Sequence, residues 1–521
     1  MPELYDYVII GSGMAGLTAG SLLARSGKSV CLLEAHEHPG GCAHSFPIGH
    51  YTFCAAVHYI FFCGEGEPVY NFLKKIGLHE SVTFTRLDPE GYDRFSCPSA
   101  GLTFKIPNGP DKWADRLIDR FPQHRAGINR FFRIIGDLVR ELRDVPVFLS
   151  WSAGLRALFR CRTVLAYRTW TLQRLFDRLA LPPEVQAILA TQLGDLGLPP
   201  SQVSLVIYAA LVWSYGLGAY HPTRHFAHFI GSVAAVIDRT PGCAVEYQAE
   251  VCGFELEGDA IRAVRTRDGR TFTARTFIAN FDPKACVAMI GPERFPKAFR
   301  KKVDYDYSVS SYTLYLGVKG LDLREFGFGP WNVWHYPHLD INRAYHAQAV
   351  EGDLSDPWLF LSTPSLYSQS EHPDARICPE GEQILEAVTV CAYEPFRTLR
   401  ASDRAAYRRR KKAVAERILD VLETHYVPGL RRHLVKKVAG TPATNERYLR
   451  APRGNIYGSA LTPANINFRR LKFLTPVSNL YFTGASAEFP SIGATIAGGS
   501  RLYTHLTGDP VNPGRDMHGL V

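Results

Sequence analysis

The chain has 521 residues, 46% of them hydrophobic and 21% charged, with 59 Lys and Arg against 50 Asp and Glu and a formal charge of +9. That length carries two or three packed domains around a large core, and the composition is that of a soluble globular protein rather than a disordered or fibrous one. The basic excess is small and no DNA- or RNA-reading motif accompanies it, so nucleic acid is not expected as a partner.

Tyr7-Val8-Ile9-Ile10 is a short, wholly apolar run of the kind that forms a central parallel strand. Gly11-Ser12-Gly13-Met14-Ala15-Gly16 follows it, and a helix is predicted from about Met14 to Arg25, ending at Gly27. Ser29 to Leu33 reads as the second strand, with Glu34 at its tip. The six-residue segment matches G-x-G-x-x-G after a strand and before a helix. Gly11 serves the tight turn, Gly13 lets a pyrophosphate approach the backbone, and Gly16 lets helix and strand pack closely. The opening N–H groups and the dipole of the helix then favour phosphate. Glu34 lies 23 residues after Gly11, where an acid accepts hydrogen bonds from an adenosine ribose. These features together predict a dinucleotide site.

From Asp111 to about Leu179 apolar residues recur at helical spacing among many arginines, with Val145-Pro146-Val147-Phe148-Leu149-Ser150-Trp151 between them. Such an arginine–aromatic stretch marks either a helix lying in a membrane interface or an ordinary solvated face. Leu196 to Thr223 contains no Asp, Glu, Lys or Arg. It is too short and too broken by glycine and proline to span a membrane, and reads as a buried helix able to wall an apolar cavity. Val245 to Val264 is hairpin material around Gly258-Asp259, followed by a second turn at Asp268-Gly269. Thr276 to Asn280 reads as a buried strand returning to the first sheet, and Ser308 to Val318 as another strand. Arg404 to His425 is predicted as a basic amphipathic helix, Leu480 to Gly484 as the last strand and Ile492 to Leu506 as the last helix. The tail from Asp509 is expected to be loose.

Eleven cysteines, an odd number, show no CxxC or Cys/His zinc spacing, which reads as free thiols in a reducing compartment. No basic n-region or cleavage site precedes the first strand, so the expected location is cytoplasmic, with peripheral membrane contact if the arginine–aromatic stretch docks on lipid. His221, His225 and His228 lack acidic or cysteine partners nearby, so no metal site is expected.

Pro39-Gly40-Gly41-Cys42-Ala43-His44-Ser45-Phe46, just after Leu33-Glu34, resembles the FAD proteins of the carotenoid desaturase, carotenoid isomerase and retinol saturase group. Val57-His58-Tyr59-Ile60 and Asn455-Ile456-Tyr457-Gly458 look most like the retinol saturase branch. The resemblance is strong over residues 1–62 and 445–508 and collinear between them. It implies an α/β fold in which a Rossmann-type FAD-binding domain, a doubly wound parallel sheet, is interrupted by a mixed-sheet and helical substrate domain. The expected division is FAD-binding parts at 1–110, 231–290 and 446–508, a helical substrate- or membrane-facing region at 111–230, a substrate domain at 291–445 and a tail at 509–521.

The resemblance also implies FAD with Gly11 to Gly16 under its pyrophosphate and Glu34, with Ala35 beside it, at the adenosine ribose. Gly40, Gly41, Cys42 and Ser45 would run along the flavin side, and the Val251 backbone would meet adenine. Thr483-Gly484 would pass the ribityl chain, and the helix opening at Ile492, Gly493 and Ala494 would point at the flavin N1/C2 edge, where reduced flavin is negative.

Several positions depart from the group. Ser486 stands where the group has Asp, Ser491 where it has Gly after Pro490, and Cys54-Ala55-Ala56 where it has Asp-x-Gly. Thr223-Arg224-His225-Phe226 replaces a Gly-Gly after Pro222. These changes bear on the reaction more than on the fold.

The flavin supplies the electron chemistry, so the protein need add placement, electrostatics and one proton. His58, Tyr59 and Tyr457 are the candidate proton-handling residues, with His44 and Glu488 behind them. The implied activity is reduction or desaturation of a C=C bond in a long apolar polyene or isoprenoid. Two other readings stay open: redox-neutral cis–trans isomerisation of a polyene, and a lipid-binding or scaffold protein with structural FAD. An amine oxidase shares the N-terminal fingerprint but draws no support from the C-terminal half.

Overall fold

Tyr5–Ile10 forms the central strand because its inward residues are apolar and nothing in it breaks the ladder; Val8 and Ile9 are fully buried. It pairs in parallel with Val30–Leu33 on one side and Thr271–Ala279 on the other. The computed structural model describes residues 4–143, 145, 159–368, 376–466 and 469–513. Among these, two seven-stranded sheets carry the architecture. The first runs in the order Val251–Glu257, Ala260–Thr266, Thr271–Ala279, Tyr5–Ile10, Val30–Leu33, Ala244–Glu246, with Leu480–Phe482 on Thr271–Ala279.

The strand Thr271–Ala279 joins distant parts of the chain. Its first residues pair antiparallel with the hairpin strand Ala260–Thr266, and its last three pair in parallel with Leu480–Phe482. The C-terminal strand thus lies two places from the N-terminal one, and Ile492–Thr507 packs on the first helix, Met14–Arg25. Small residues permit that approach: a Cβ on Gly499 would lie 2.6 Å from the Ala15 carbonyl oxygen.

The second sheet is mixed, in the order Leu434–Gly440, Ser310–Lys319, Glu382–Cys391, Leu359–Ser362, Asn332–His335, Asp93–Cys97, Leu102–Ile106. Only Asn332–His335 and Asp93–Cys97 pair in parallel within it. Helices Pro110–Arg120, Arg125–Leu142 and Leu205–Leu217 pack beside it. The α/β fold class expected from sequence, a Rossmann-type sheet with an inserted mixed-sheet and helical part, is the observed one.

The helix Leu205–Leu217 occupies the uncharged stretch and is apolar all round, with nine of its residues buried, as a core helix should be. The second strand begins one residue later than expected, at Val30, because Ser29 turns its hydroxyl and amide to Asp6. The described part of the tail, residues 509–513, is tied down. Asp509 pairs with Lys75 at 2.6 Å and accepts from the Tyr503 hydroxyl, Val511 is buried, and Asn71 donates to Asn512 at 3.0 Å. A buried apolar side chain and an ion pair hold a segment whose Pro and Gly content suggested none. Residues 514–521, and the aromatic run from Pro146 to Trp151, lie outside the described residues. Among the described residues no helix is long and apolar enough to cross a membrane.

Candidate functional site

The turn after the first strand is held from two sides. Gly11, at φ +98°, donates its N–H to the Leu33 carbonyl at 2.8 Å. From the neighbouring strand end, Asn280 donates through Nδ2 to the carbonyls of Gly11 and Gly13, both at 2.9 Å. The same side chain closes the space around Gly16, where a Cβ would fall 2.5 Å from Asn280 Nδ2 and 2.6 Å from the Gly11 oxygen. A second glycine segment docks on this loop. Gly40 donates to the Ser12 carbonyl at 3.0 Å, and a Cβ on Gly41 would sit 3.2 Å from Gly13 Cα.

Glu34 takes the N–H of Ser12 on Oε2 at 2.8 Å, together with the Ser12 hydroxyl, and the N–H of His36 on Oε1 at 2.8 Å. Its carboxylate is therefore fixed by the loop itself. The first helix opens at Gly13 with no side-chain cap, so its leading N–H groups stay available.

A cavity of about 830 Å³ starts at this loop. Gly11, Gly13, Met14, Ala15, Glu34, Ala35, Gly40, Gly41, Cys42 and Val251 form one end of its wall. Thr483, Gly484, Ser486, Ile492 and Ala494 border it further along, and the far end is apolar and aromatic, with Ile207, Leu211, Trp213, Tyr215, Trp334 and Phe360. The volume is within the range of ligand-binding sites. Ser12, Gly16, Ser45 and Gly493 lie behind the wall. Ser12 serves Glu34, Gly16 serves helix packing, Ser45 opens a short hairpin, and Gly493 packs against Phe61.

The departures from the group have visible local roles. Ser486 Oγ accepts the Ser459 N–H at 3.1 Å. Cys54 is buried, and burial pushes its thiol up to about 12. Ala56 lines the cavity. Ser491 sits at φ +93° and ψ 154°, a conformation that suits glycine, and its Oγ accepts the Ala494 N–H at 3.1 Å. The serine has thus kept the glycine backbone and covered one donor of the last helix. Relief of strain of order 1–3 kcal/mol exceeds the lost cap and the extra freedom of glycine in the unfolded chain. Ser491→Gly is therefore expected to stabilise the protein by about 1 kcal/mol, read as a raised midpoint of thermal unfolding; a lowered midpoint contradicts it.

His58, Tyr59 and Tyr457 all reach the cavity. His58 Nδ1 meets Glu386 at 2.7 Å, and its Nε2, also buried, has no partner among the described residues. Tyr59 stacks on Tyr215, with ring centres 4.5 Å apart, and its hydroxyl lies between two carboxyls, Asp93 at 3.0 Å and Asp195 at 2.6 Å. Tyr457 donates its hydroxyl to the Gly194 carbonyl at 2.8 Å. His44 also lines the cavity, with Nδ1 against the Gly41 oxygen, and burial lowers its pKa. Glu488 lies off the cavity in a buried pair with Arg501. His221 is buried with Nδ1 on the Pro222 oxygen, and His228 meets the Ser81 oxygen.

Asn280, Asp93, Asp195, Tyr215 and Glu386 were not singled out from the sequence. Asn280 alone left a trace there, as the residue ending the strand that returns beside the glycine turn.

The fold and this loop-to-cavity arrangement define a Rossmann-type protein with an inserted mixed-sheet and helical part. Over nearly its whole length the chain is similar to proteins named as all-trans-retinol 13,14-reductases and prolycopene isomerases. Residues 9–76 match the NAD(P)-binding Rossmann-like domain family. An all-trans-retinol 13,14-reductase of Danio rerio is 24% identical over 525 residues, covering 96% of this chain and 85% of that protein. A chloroplastic prolycopene isomerase of Arabidopsis thaliana is 26% identical over 515 residues, covering 94% and 80%. Among solved structures, a cyclohexylamine oxidase of Brevibacterium oxydans shares the fold, with a TM-score of 0.61 at 16% identity over 97% of this chain and 100% of that one.

Proposed function

We propose that this protein binds FAD and reduces or desaturates a C=C bond of a long apolar polyene or isoprenoid. The observation that carries the reading is the continuity of the cavity, which begins on a glycine loop fit for a pyrophosphate and ends among aromatic rings beside His58 and Tyr59. The loop residues suit a dinucleotide. The first helix leaves its opening amides free of a side-chain cap, side chains are excluded at Gly11 and Gly16 by the close approach of Asn280, and Thr483 Oγ1 is a buried hydroxyl with no partner among the described residues. In this reading Gly11, Gly13, Met14 and Ala15 hold the phosphates, Glu34 and Ala35 the ribose, and Val251 the adenine. Gly40, Gly41, Cys42, Gly484, Ser486, Ile492 and Ala494 border the ring end. Ser12, Gly16, Ser45 and Gly493 support those residues from behind.

FAD would supply two-electron transfer to or from a substrate carbon. The residues of the chain exclude water with an aromatic wall, orient the substrate, and hold a proton in the cluster that His58 and Tyr59 form with the carboxyls beside them. The relatives named for retinol reduction support an apolar polyene acceptor, and the absence of charge along the helix Leu205–Leu217 agrees with one.

The test is spectroscopic. The purified full-length protein should be yellow, bleach with dithionite under anaerobic conditions, and recover its colour on addition of a polyene. A colourless protein that takes up no added FAD rules the reading out. A protein that bleaches but is reoxidised by no polyene, and whose oxidised form is bleached by no more-saturated isoprenoid, removes the substrate class. Isomerisation is the second reading, favoured by relatives named as prolycopene isomerases that match over the same span. Product mass separates the two, because isomerisation leaves it unchanged.

A further inference from the structure

The contact between Tyr59 and its two carboxyl neighbours contains a proton that the donors alone do not account for. A phenol hydroxyl has one hydrogen and can donate to one oxygen. Yet Tyr59 Oη lies within hydrogen-bond distance of both Asp93 Oδ2, at 3.0 Å, and Asp195 Oδ2, at 2.6 Å. If both acids were ionised, one of these short contacts would set two lone pairs against each other in a buried site. One carboxyl must therefore carry a hydrogen and donate it to Tyr59.

The neighbours decide which. Asp93 receives Asn332 Nδ2 on Oδ1 at 3.0 Å and Gln192 Nε2 on Oδ2 at 2.8 Å, the donor set of a carboxylate. Among the described residues Asp195 meets no cation; its hydrogen-bond partner is the Tyr59 hydroxyl, and the Tyr215 hydroxyl also faces it. Of the two acids, Asp195 lines the cavity and Asp93 does not.

We propose that Asp195 is a neutral carboxylic acid at physiological pH and is the proton donor of the cavity, with Tyr59 as its positioning residue. This assignment rests on the proposed hydrogen transfer to a C=C bond. In the reducing direction the Asp195 O–H bond breaks and a C–H bond forms at one substrate carbon, while the O–H electron pair stays on the carboxylate. The other carbon takes a hydride, two electrons and one proton, from a reduced dinucleotide. The Tyr59 hydroxyl then turns its hydrogen from Asp93 to the new carboxylate. Asp93 keeps Asn332 and Gln192, so neither acid is left bare. In the oxidising direction the carboxylate receives the proton.

The electrostatics agree. Burial first, and then the charge of Asp93, hold the Asp195 carboxyl well above the usual range. Asp93 is raised only to about 6, because Asn332, Gln192 and Tyr59 oppose its burial. The titratable groups facing Asp195 are Asp93, Tyr59 and Tyr215, and all are acidic. The hydroxyls of Tyr92, Tyr336, Tyr345 and Tyr457 lie in its field and are kept neutral by burial.

Two measurements read the acid without turnover. Infrared spectra of the full-length protein at pH 7 should contain a protonated-carboxyl C=O band that shifts in D2O, disappears in Asp195→Asn and persists in Asp93→Asn. Asp195 has a raised pKa when folded, so its contribution to stability falls as pH rises above the ordinary carboxylate range. Asp195→Asn should therefore unfold at a higher temperature than wild type at pH 8 and near it at pH 4. A missing band, or one that survives Asp195→Asn, overturns the neutral acid.

The donor role is read by anaerobic single turnover with a polyene acceptor. Asp195→Asn should slow reoxidation by ~10²–10⁴-fold while the visible spectrum and dithionite bleaching stay those of wild type. Reoxidation at the wild-type rate overturns the donor role even if the band is present. Failure of the wild type to be reoxidised by any polyene counts against the proposed function and the donor role together, and leaves the neutral acid to the first two measurements.

Discussion

The Gly16→Val protein is expected to be colourless when purified and about 3–5 kcal/mol less stable than wild type. The size of the effect follows from what stands around the missing Cβ. It would come 2.5 Å from Asn280 Nδ2 and 2.6 Å from the Gly11 carbonyl oxygen, far inside van der Waals contact. Neither neighbour is free to move. Gly11 is fixed by its positive φ and its bond to Leu33, and Asn280 is held by the two carbonyls it bridges. Overpacking costs about 1–3 kcal/mol, and displacing Asn280 strands buried polar groups at a similar cost each. The same displacement loosens the turn on which a pyrophosphate would rest, so colour and stability should fall together. Gly231→Ala is the control: a Cβ there meets nothing within 4 Å and the backbone is helical. It should keep the colour and gain up to about 1 kcal/mol. Thermal unfolding and the flavin absorbance measure both variants, and a yellow, stable Gly16→Val protein contradicts the argument.

This contrast also marks what could be read from the chain alone. The glycine turn was legible because its geometry is local: strand, turn, helix and Glu34 lie within thirty-four residues, and each residue type answers a steric or electrostatic demand of its neighbours. The returning strand ending at Asn280 was legible from its apolar run. That its amide pins the turn was not, since Asn280 is 269 positions from Gly11. The proton-handling residues divide in the same way. His58 and Tyr59 were found through a short motif, but their partners Glu386, Asp93 and Asp195 come from other strands and a turn, up to 328 positions away. Hydrophobic periodicity reports which face of an element is buried and says nothing about which carboxyl it meets. Ser491 lies between these cases. The sequence displays a serine where a glycine is expected, and only the backbone reveals that the glycine conformation was retained.

Removal of the guanidinium in Arg501→Met is expected to cost about 3–5 kcal/mol. Arg501 meets Glu488 at 2.7 Å, with both side chains almost wholly buried, and the other Glu488 oxygen has no donor among the described residues. Arg470 and Lys472 also lie in the field of this carboxylate, but Arg501 is the cation hydrogen-bonded to it. Glu488 belongs to the turn between Ser486 and Pro490, beside the cavity wall. That turn is further tied down by Arg470, which donates to the carbonyls of Ala485 and Glu488 and to the Ser459 hydroxyl. Without Arg501, Glu488 keeps the fields of Arg470 and Lys472 but loses its hydrogen-bonded partner, and that stranded buried charge sets the loss. Replacing both partners, Glu488→Leu with Arg501→Met, removes the stranded charge and should recover most of the loss. Thermal unfolding of the two single variants and the double variant tests this. If the double variant is no more stable than Arg501→Met, the pair acts through packing alone. If it recovers, the loss in Arg501→Met comes from the stranded Glu488 charge, and the turn beside the proposed ring end holds its shape without the pair.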